Sequence, residues 1–229
     1  MSNNLSNNIY QMVKKMNVDS IDDIKKLIYF LSHNETIDRN KYKESPIGEI
    51  ANALGIRIIY NGKMQEIGCL FVNGTTSQSY GSNAVIISNY SLAANVQREV
   101  VTSLLGVYLL DFLKNYDGDY SKLYSANYGK TRMNYKAYFF REEFLLSYDI
   151  FIRQYLVAAE HYRNLTNVRE YLSEYFGVTQ NLVENKINGI INGISYPIES
   201  TEPTTDQLDV RKCNSLSYQM NLNKYGKSE

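Results

Sequence analysis

The chain has 229 residues, enough for one sizeable core with appendages, and its 24 acidic and 24 basic side chains cancel. That balance leaves no global field to steer the protein onto nucleic acid or an anionic membrane. No apolar run approaches the roughly 20 residues that span a bilayer. The polar opening MSNNLSNNIY lacks the regions of a signal peptide, and two cysteines in dissimilar surroundings make no disulfide framework, so the sequence reads as soluble and cytoplasmic.

Residues 5–17 place Ile9, Met12, Val13 and Met16 at helical spacing. A second helix is predicted from Ser20, which with Asp23 makes a capping-box-like pair ahead of Ile24, Leu27, Ile28 and Leu31. The two form an N-terminal helical extension, residues 1–44, laid against the main body. It closes on the polar stretch 33–44, where His33 reads as a solvated loop residue. Ser45 and Pro46 then mark a helix start, with Ser45 as N-cap, and the helix ends at Gly55. Residues 57–60, the turn Asn61-Gly62 and residues 67–72 read as a hairpin. After the polar run 75–83, residues 84–88 read as a third strand.

Residues 96–112, VQREVVTSLLGVYLLDF, form the most apolar helical stretch. Val100, Leu104, Val107, Tyr108 and Leu110 recur at spacings of three and four, and Val101, Leu105 and Leu109 widen the apolar surface almost all round. This predicts a central helix walled in by other elements. Gly106 in its middle costs about 1 kcal/mol relative to Ala, which predicts close approach of another backbone.

The run TSLLGVYLL, residues 102–110, resembles the active helix of the ImmA/IrrE family of zinc metallopeptidases, whose motif reads AHELGHYLL. Leu105, Gly106, Tyr108, Leu109 and Leu110 match. The first histidine falls on Ser103, the general-base glutamate on Leu104 and the second histidine on Val107. The motif needs two imidazoles four residues apart on one helix face, with the glutamate polarising a zinc-bound water. None of the three substitutes offers an imidazole or a carboxylate. The preceding order is also similar to the family: I-A-x-x-L-G-I at residues 50–56, a sheet glycine near Gly68, and I-I-x-N at residues 86–89.

Residues 114–132 are polar and read as a surface loop. Asp117, Asp119 and Ser121 alternate as in a calcium loop, but the distal glutamate and the glycine are missing. A helix predicted over residues 135–157 resembles the family segment E-x-x-A-N-x-F-A-x-x-L-L-M-P through Ala137, Phe140, Glu143, Leu145 and Leu146. The acid that supplies the third zinc ligand falls on Asn134 or Lys136, neither of which suits zinc. Ser147 stands where the family often has proline. His161 is placed on the exposed face of a helix.

Within residues 167–194, two helical runs are split at Gly177. The phrase L-S-E-Y-F-G-V-T-x-x-x-V, residues 172–183, resembles a helix-turn-helix, and the same helical pair occurs at this place in ImmA/IrrE proteins. As a DNA reader its second helix offers Gln180, Asn181, Asn185 and Lys186, with Lys186 its only cation. Residues 197–229 are polar, hold two of the three prolines and read as an extended tail.

Tyrosine is unusually frequent, 21 residues against no tryptophan, which suits clefts and interfaces. An AT-rich coding style, which also favours Asn, Lys and Ile, accounts for the same count and suggests a phage or mobile element of a low-GC bacterium. The two histidines, His33 and His161, and two cysteines, Cys69 and Cys213, never fall within one helical turn of each other.

The expected fold is therefore α+β and mostly helical: a zincin-like scaffold with a small three-stranded, mostly antiparallel sheet. The expected segments are the extension 1–44, a degenerate metallopeptidase-like core 45–164, a helix-turn-helix-like pair 165–196 and a tail 197–229. The resemblance implies a scaffold with neither metal nor cofactor that binds a protein, such as a repressor or a host or defence protein. A DNA-binding regulator and a residual zinc endopeptidase remain as alternatives.

Overall fold

The computed structural model describes residues 2–33, 46–72, 81–82, 84–114, 122–126 and 135–191, the stretch 122–126 by its backbone alone. Ser45, the calcium-like residues Asp117, Asp119 and Ser121, Asn134, Cys213 and the predicted tail lie outside the described residues. The chain forms two compact units, Met1–Phe144 and Leu145–Glu229.

The first unit is α+β. Helix α1, Ser2–Lys15, buries Leu5, Ile9 and Val13 on one stripe, and α2, Ile21–His33, buries Ile24, Leu27, Ile28 and Leu31. Ser20 Oγ accepts from the Asp23 amide at 3.3 Å, as predicted for an N-cap. The Asp23 carboxylate accepts instead from the Asn17 amide at 2.8 Å, tying the α1–α2 turn. His33 is the last residue of α2 and not a loop residue. Its ring stacks on Tyr29 at 4.0 Å, and its Nδ1 lies 3.0 Å from Tyr29 O.

Helix α3, Ile47–Ala53, follows Pro46 and stops at Gly55, whose φ of 70° a side chain would disfavour. Strands β1, Ile56–Asn61, β2, Gly68–Val72, and β3, Ala84–Asn89, join a fourth strand, β4, Lys122–Ala126, in the order β1-β3-β2-β4. The sheet is mixed. β1 runs parallel to β3, with Ile56 opposite Ala84, while β2 runs antiparallel to both β3 and β4.

The sheet corrects two expectations. β1 and β2 do not form a hairpin, because β3 inserts between them and takes the hydrogen bonds that the local turn suggested they would share. There are four strands rather than three, because residues within the predicted surface loop form β4.

Helix α4, Ala94–Val107, runs on into a π-helical segment, Tyr108–Leu113. From Glu99 to Val107 every residue is buried, which matches the all-round apolar reading. The helix lies against β2 and β3. Gly68 permits this: a methyl group there would sit 2.4 Å from Val100 Cγ1 and 3.2 Å from Leu104 Cδ1. The π segment packs on α1, and Lys114 just beyond it caps that helix. Its Nζ donates to Lys14 O at 2.8 Å and to Met16 O at 2.6 Å.

The predicted helix over 135–157 is two helices, α5, Tyr135–Leu145, and α6, Tyr148–His161. The break falls at Ser147, whose ψ of 127° is extended. It coincides with the position where the family resemblance places a proline.

The second unit comprises α6, α7, Leu165–Phe176, and α8, Gln180–Ile191. Asn164 caps α7 through the Asn167 amide at 2.8 Å. Gly177 ends it in the left-handed conformation, φ 61°, with Val178 N donating to Ser173 O at 3.0 Å and Gly177 N to Glu174 O at 3.3 Å. Thr179 Oγ1 then accepts from the Leu182 amide at 3.2 Å and starts α8. Buried apolar residues of this unit include Leu146, Phe151, Ala158, Val168, Leu172, Val178, Leu182, Val183 and Ile187. No helix among the described residues is long and apolar enough to cross a membrane.

Candidate functional site

The motif positions on α4 are interior. Ser103 and Val107 have no solvent exposure, and Leu104 has 1%. Leu104, where the resemblance places the general base, reaches toward the sheet, its Cδ1 lying over Gly68. Ser103 Oγ donates to Glu99 O at 2.9 Å, and Thr102 Oγ1 donates to Arg98 O at 2.8 Å. Both hydroxyls are thus turned back onto their own helix, the usual way a buried Ser or Thr satisfies its proton.

Gly106 admits α5. A methyl group there would fall 2.9 Å from Phe140 Cδ1. The close approach expected from the sequence is real, but the visitor is an aromatic ring rather than a backbone. Phe140 is itself fully buried and stacks on Phe144 at 5.4 Å.

Lys136, one of the two positions where the resemblance places the third ligand, is nearly buried and pairs with Asp19 of the α1–α2 turn, Nζ to Oδ1 2.6 Å. Its ammonium is directed to the α1–α2 turn, so the positions that the resemblance marks as ligands serve two different purposes. Ser103 and Val107 fill the interior, while Lys136 fastens a neighbouring element. Among the described residues no three His, Cys, Asp or Glu side chains are grouped to hold a metal ion.

Periodicity did not reveal a set of buried charges. Glu99, Arg141, Glu142 and Glu143 are each below 10% exposed. Arg141 Nη1 lies 3.9 Å from Glu99 Oε2, and its guanidinium carbon stands 5.0 Å over the Tyr138 ring. Burial pulls the pKa of the adjacent Arg98 below its ordinary value, and the Glu99 carboxylate opposes that shift. The signal available in sequence was the Arg98-Glu99 pair opening an otherwise apolar helix face, one turn before Ser103.

In the second unit, the four residues proposed to face DNA divide. Gln180 and Asn181 are exposed, whereas Asn185 is 8% and Lys186 2% exposed. The correction is direct: the only cation of α8 is inside the protein and does not present its charge to a phosphate backbone. Arg169 on α7 is engaged with Glu184 of α8, Nη1 to Oε1 2.7 Å. His161 is exposed at the end of α6, as expected, with Nδ1 2.8 Å from Val157 O. This unit also exposes the apolar and aromatic side chains Leu156, Val157, Tyr162, Leu165 and Tyr175. Tyr162, Tyr171 and Tyr175 form a continuous row, with ring centroids 5.8 Å and 6.1 Å apart.

Comparison of the chain with protein-family models, with curated proteins and with solved structures found no match.

Proposed function

We propose that this chain is a catalytically inactive relative of the ImmA/IrrE metallopeptidases, carried by a phage or mobile element, that works by binding another protein. The observation that carries the reading is the identity and burial of Ser103, Leu104 and Val107. They stand at the spacing of a zinc-binding helix yet offer one hydroxyl, already engaged, and two alkyl groups. Hydrolysis through a zinc-bound water has no base and no pair of imidazoles there. A partner therefore meets the protein on its surface, and the tyrosine row with Leu156, Val157 and Leu165 gives it aromatic and aliphatic anchors. The partner fitting the resemblance is a repressor-type regulator or a host or defence protein.

The test is affinity capture from a low-GC host lysate, followed by direct titration of the captured protein. The partner is expected to be recovered intact, with a Kd unchanged by a zinc chelator. Cleavage of the partner, or one tightly held zinc ion per chain by elemental analysis, would return the residual-peptidase reading. Salt-dependent duplex binding at low ionic strength would instead favour the DNA-binding alternative.

A further inference from the structure

Glu99, Ser103 and Gly106 succeed one another at spacings of four and three, so they share a single stripe of α4. The two outer members are both met by α5: Glu99 by the Arg141 guanidinium and Gly106 by the Phe140 ring. Ser103, between them and without solvent exposure, therefore lies beneath α5. Phe140 supplies the apolar half of this cover and Arg141 the charged half.

The charged half is costly. Taking a carboxylate and a guanidinium out of water carries a penalty of several kcal/mol for each, recovered only through mutual attraction and hydrogen bonds. The side chains of Arg141 and Glu99 are only 10% and 6% exposed, and Arg141 Nε has no hydrogen-bond partner among the described residues. Two alkyl side chains would join the helices at lower cost. What they lack is direction, since apolar surfaces slide whereas an ion pair deep in a core has one favourable register. The Tyr138 ring, one turn earlier on α5, lies 5.0 Å from the guanidinium carbon.

We propose that the Glu99–Arg141 pair is a lock that fixes the register of α5 on α4 and seals the Ser103 stripe from solvent and ligands. The lock rests on the geometry of the first unit alone and does not depend on what the protein binds. It makes the closed interior around Ser103 a built feature: α5 is held down by a charge pair between segments 42 positions apart in sequence.

The test places a thiol at the sealed position, Ser103→Cys, in the full-length chain carrying Cys69→Ala and Cys213→Ser, and tracks its reaction with a thiol reagent in native buffer. Arg141→Met is expected to accelerate labelling about tenfold or more and to lower the folding equilibrium constant by about a hundredfold, since it removes a cation that a buried carboxylate faces. The double variant Glu99→Leu/Arg141→Met is expected to restore most of the stability, because the carboxylate goes together with the guanidinium it faces, while labelling stays fast, because alkyl side chains do not fix the register. If Arg141→Met alone fails to fold while the double variant folds and labels fast, the lock is equally supported. Additive losses in the two single variants, equal labelling with and without Arg141, or a double variant no more stable than either single one would overturn it.

Discussion

Gly68→Ala is the sharpest probe of how the motif helix sits on the sheet. The added carbon would lie 2.4 Å from Val100 Cγ1, 3.2 Å from Leu104 Cδ1 and 3.2 Å from Ile87 O. Carbon–carbon contacts are comfortable at about 3.5–4.0 Å, so the helix or the valine must retreat by roughly 1 Å. Val100 is 3% exposed and β-branched on a helix, where one rotamer dominates, so it cannot swing aside cheaply. Overpacking of this kind costs about 1–3 kcal/mol. Replacing glycine within a strand returns about 0.5–1 kcal/mol of backbone entropy. The net expectation is a loss of about 1–2 kcal/mol, read as a lower midpoint in urea unfolding monitored by circular dichroism. Val100→Ala on its own removes buried methyl groups and destabilises the protein. In Gly68→Ala/Val100→Ala the two changes should compensate, so that the pair costs at least about 1 kcal/mol less than the sum of the single losses, in the usual range for side chains in contact. A Gly68→Ala protein as stable as the parent, with losses that simply add in the double variant, would show that α4 does not rest on β2 at this point.

Gly106→Ala sets a helix-propensity gain of about 1 kcal/mol against overpacking of about 1–3 kcal/mol, because the fully buried Phe140 blocks the methyl group; a lower Tm is expected, and a raised one would place Phe140 elsewhere. Installing the family motif, Ser103→His, Leu104→Glu and Val107→His, should abolish folding rather than restore a peptidase. Burying three such groups costs several kcal/mol each against a total stability of about 5–15 kcal/mol, and neither Asn134 nor Lys136, where the resemblance places the third ligand, suits zinc; a folded, zinc-dependent, proteolytic triple variant would show the alignment to be wrong. Lys114→Met removes two hydrogen bonds to the final carbonyls of α1 and should cost about 1–3 kcal/mol. Hydrogen exchange should quicken across α1 and remain unchanged in α7 and α8; unchanged protection of α1 would refute the capping role.

The helices with strong apolar periodicity were legible in the chain: α1, α2 and α4 bury nearly all the residues their spacing marked, Met12 alone being half-buried, and α7 and α8 fall on the two runs split at Gly177. Local punctuation was legible too, as at Ser20, whose hydroxyl caps α2, and at Gly177, which turns left-handed to end α7. Partnership across distance was not. Asn61-Gly62 is a strong short-range hairpin signal, yet β1 pairs with a strand whose matching residues lie 28 positions later, and no local pattern encodes that choice. β4 was missed because five residues in a polar stretch give too short an alternation to stand out. The buried charges were missed for a different reason. Charged side chains are scored as surface by default, so Glu99, Arg141 and Lys186 reveal their burial only when the neighbouring elements are in place. The residues at the motif positions came from the family resemblance of residues 102–110, whereas their burial, with Leu104 turned to the sheet and Ser103 under α5, required the fold.

The π-helical segment after α4 has a consequence for how this chain tolerates changes in length. Its hydrogen bonds reach back five residues instead of four, so each turn accommodates an extra residue. Both ends are moored: Gly106 under Phe140 at one, Lys114 against the carbonyls of α1 at the other. Between those moorings the segment stores slack. Removing one residue from Tyr108–Leu113 can be taken up by rewinding to ordinary α-helix with both anchors seated, whereas the same deletion in α4 would rotate every later side chain by about 100°. The one stretch of the central helix where the chain can be shortened thus lies directly beside the part where its register is most tightly held.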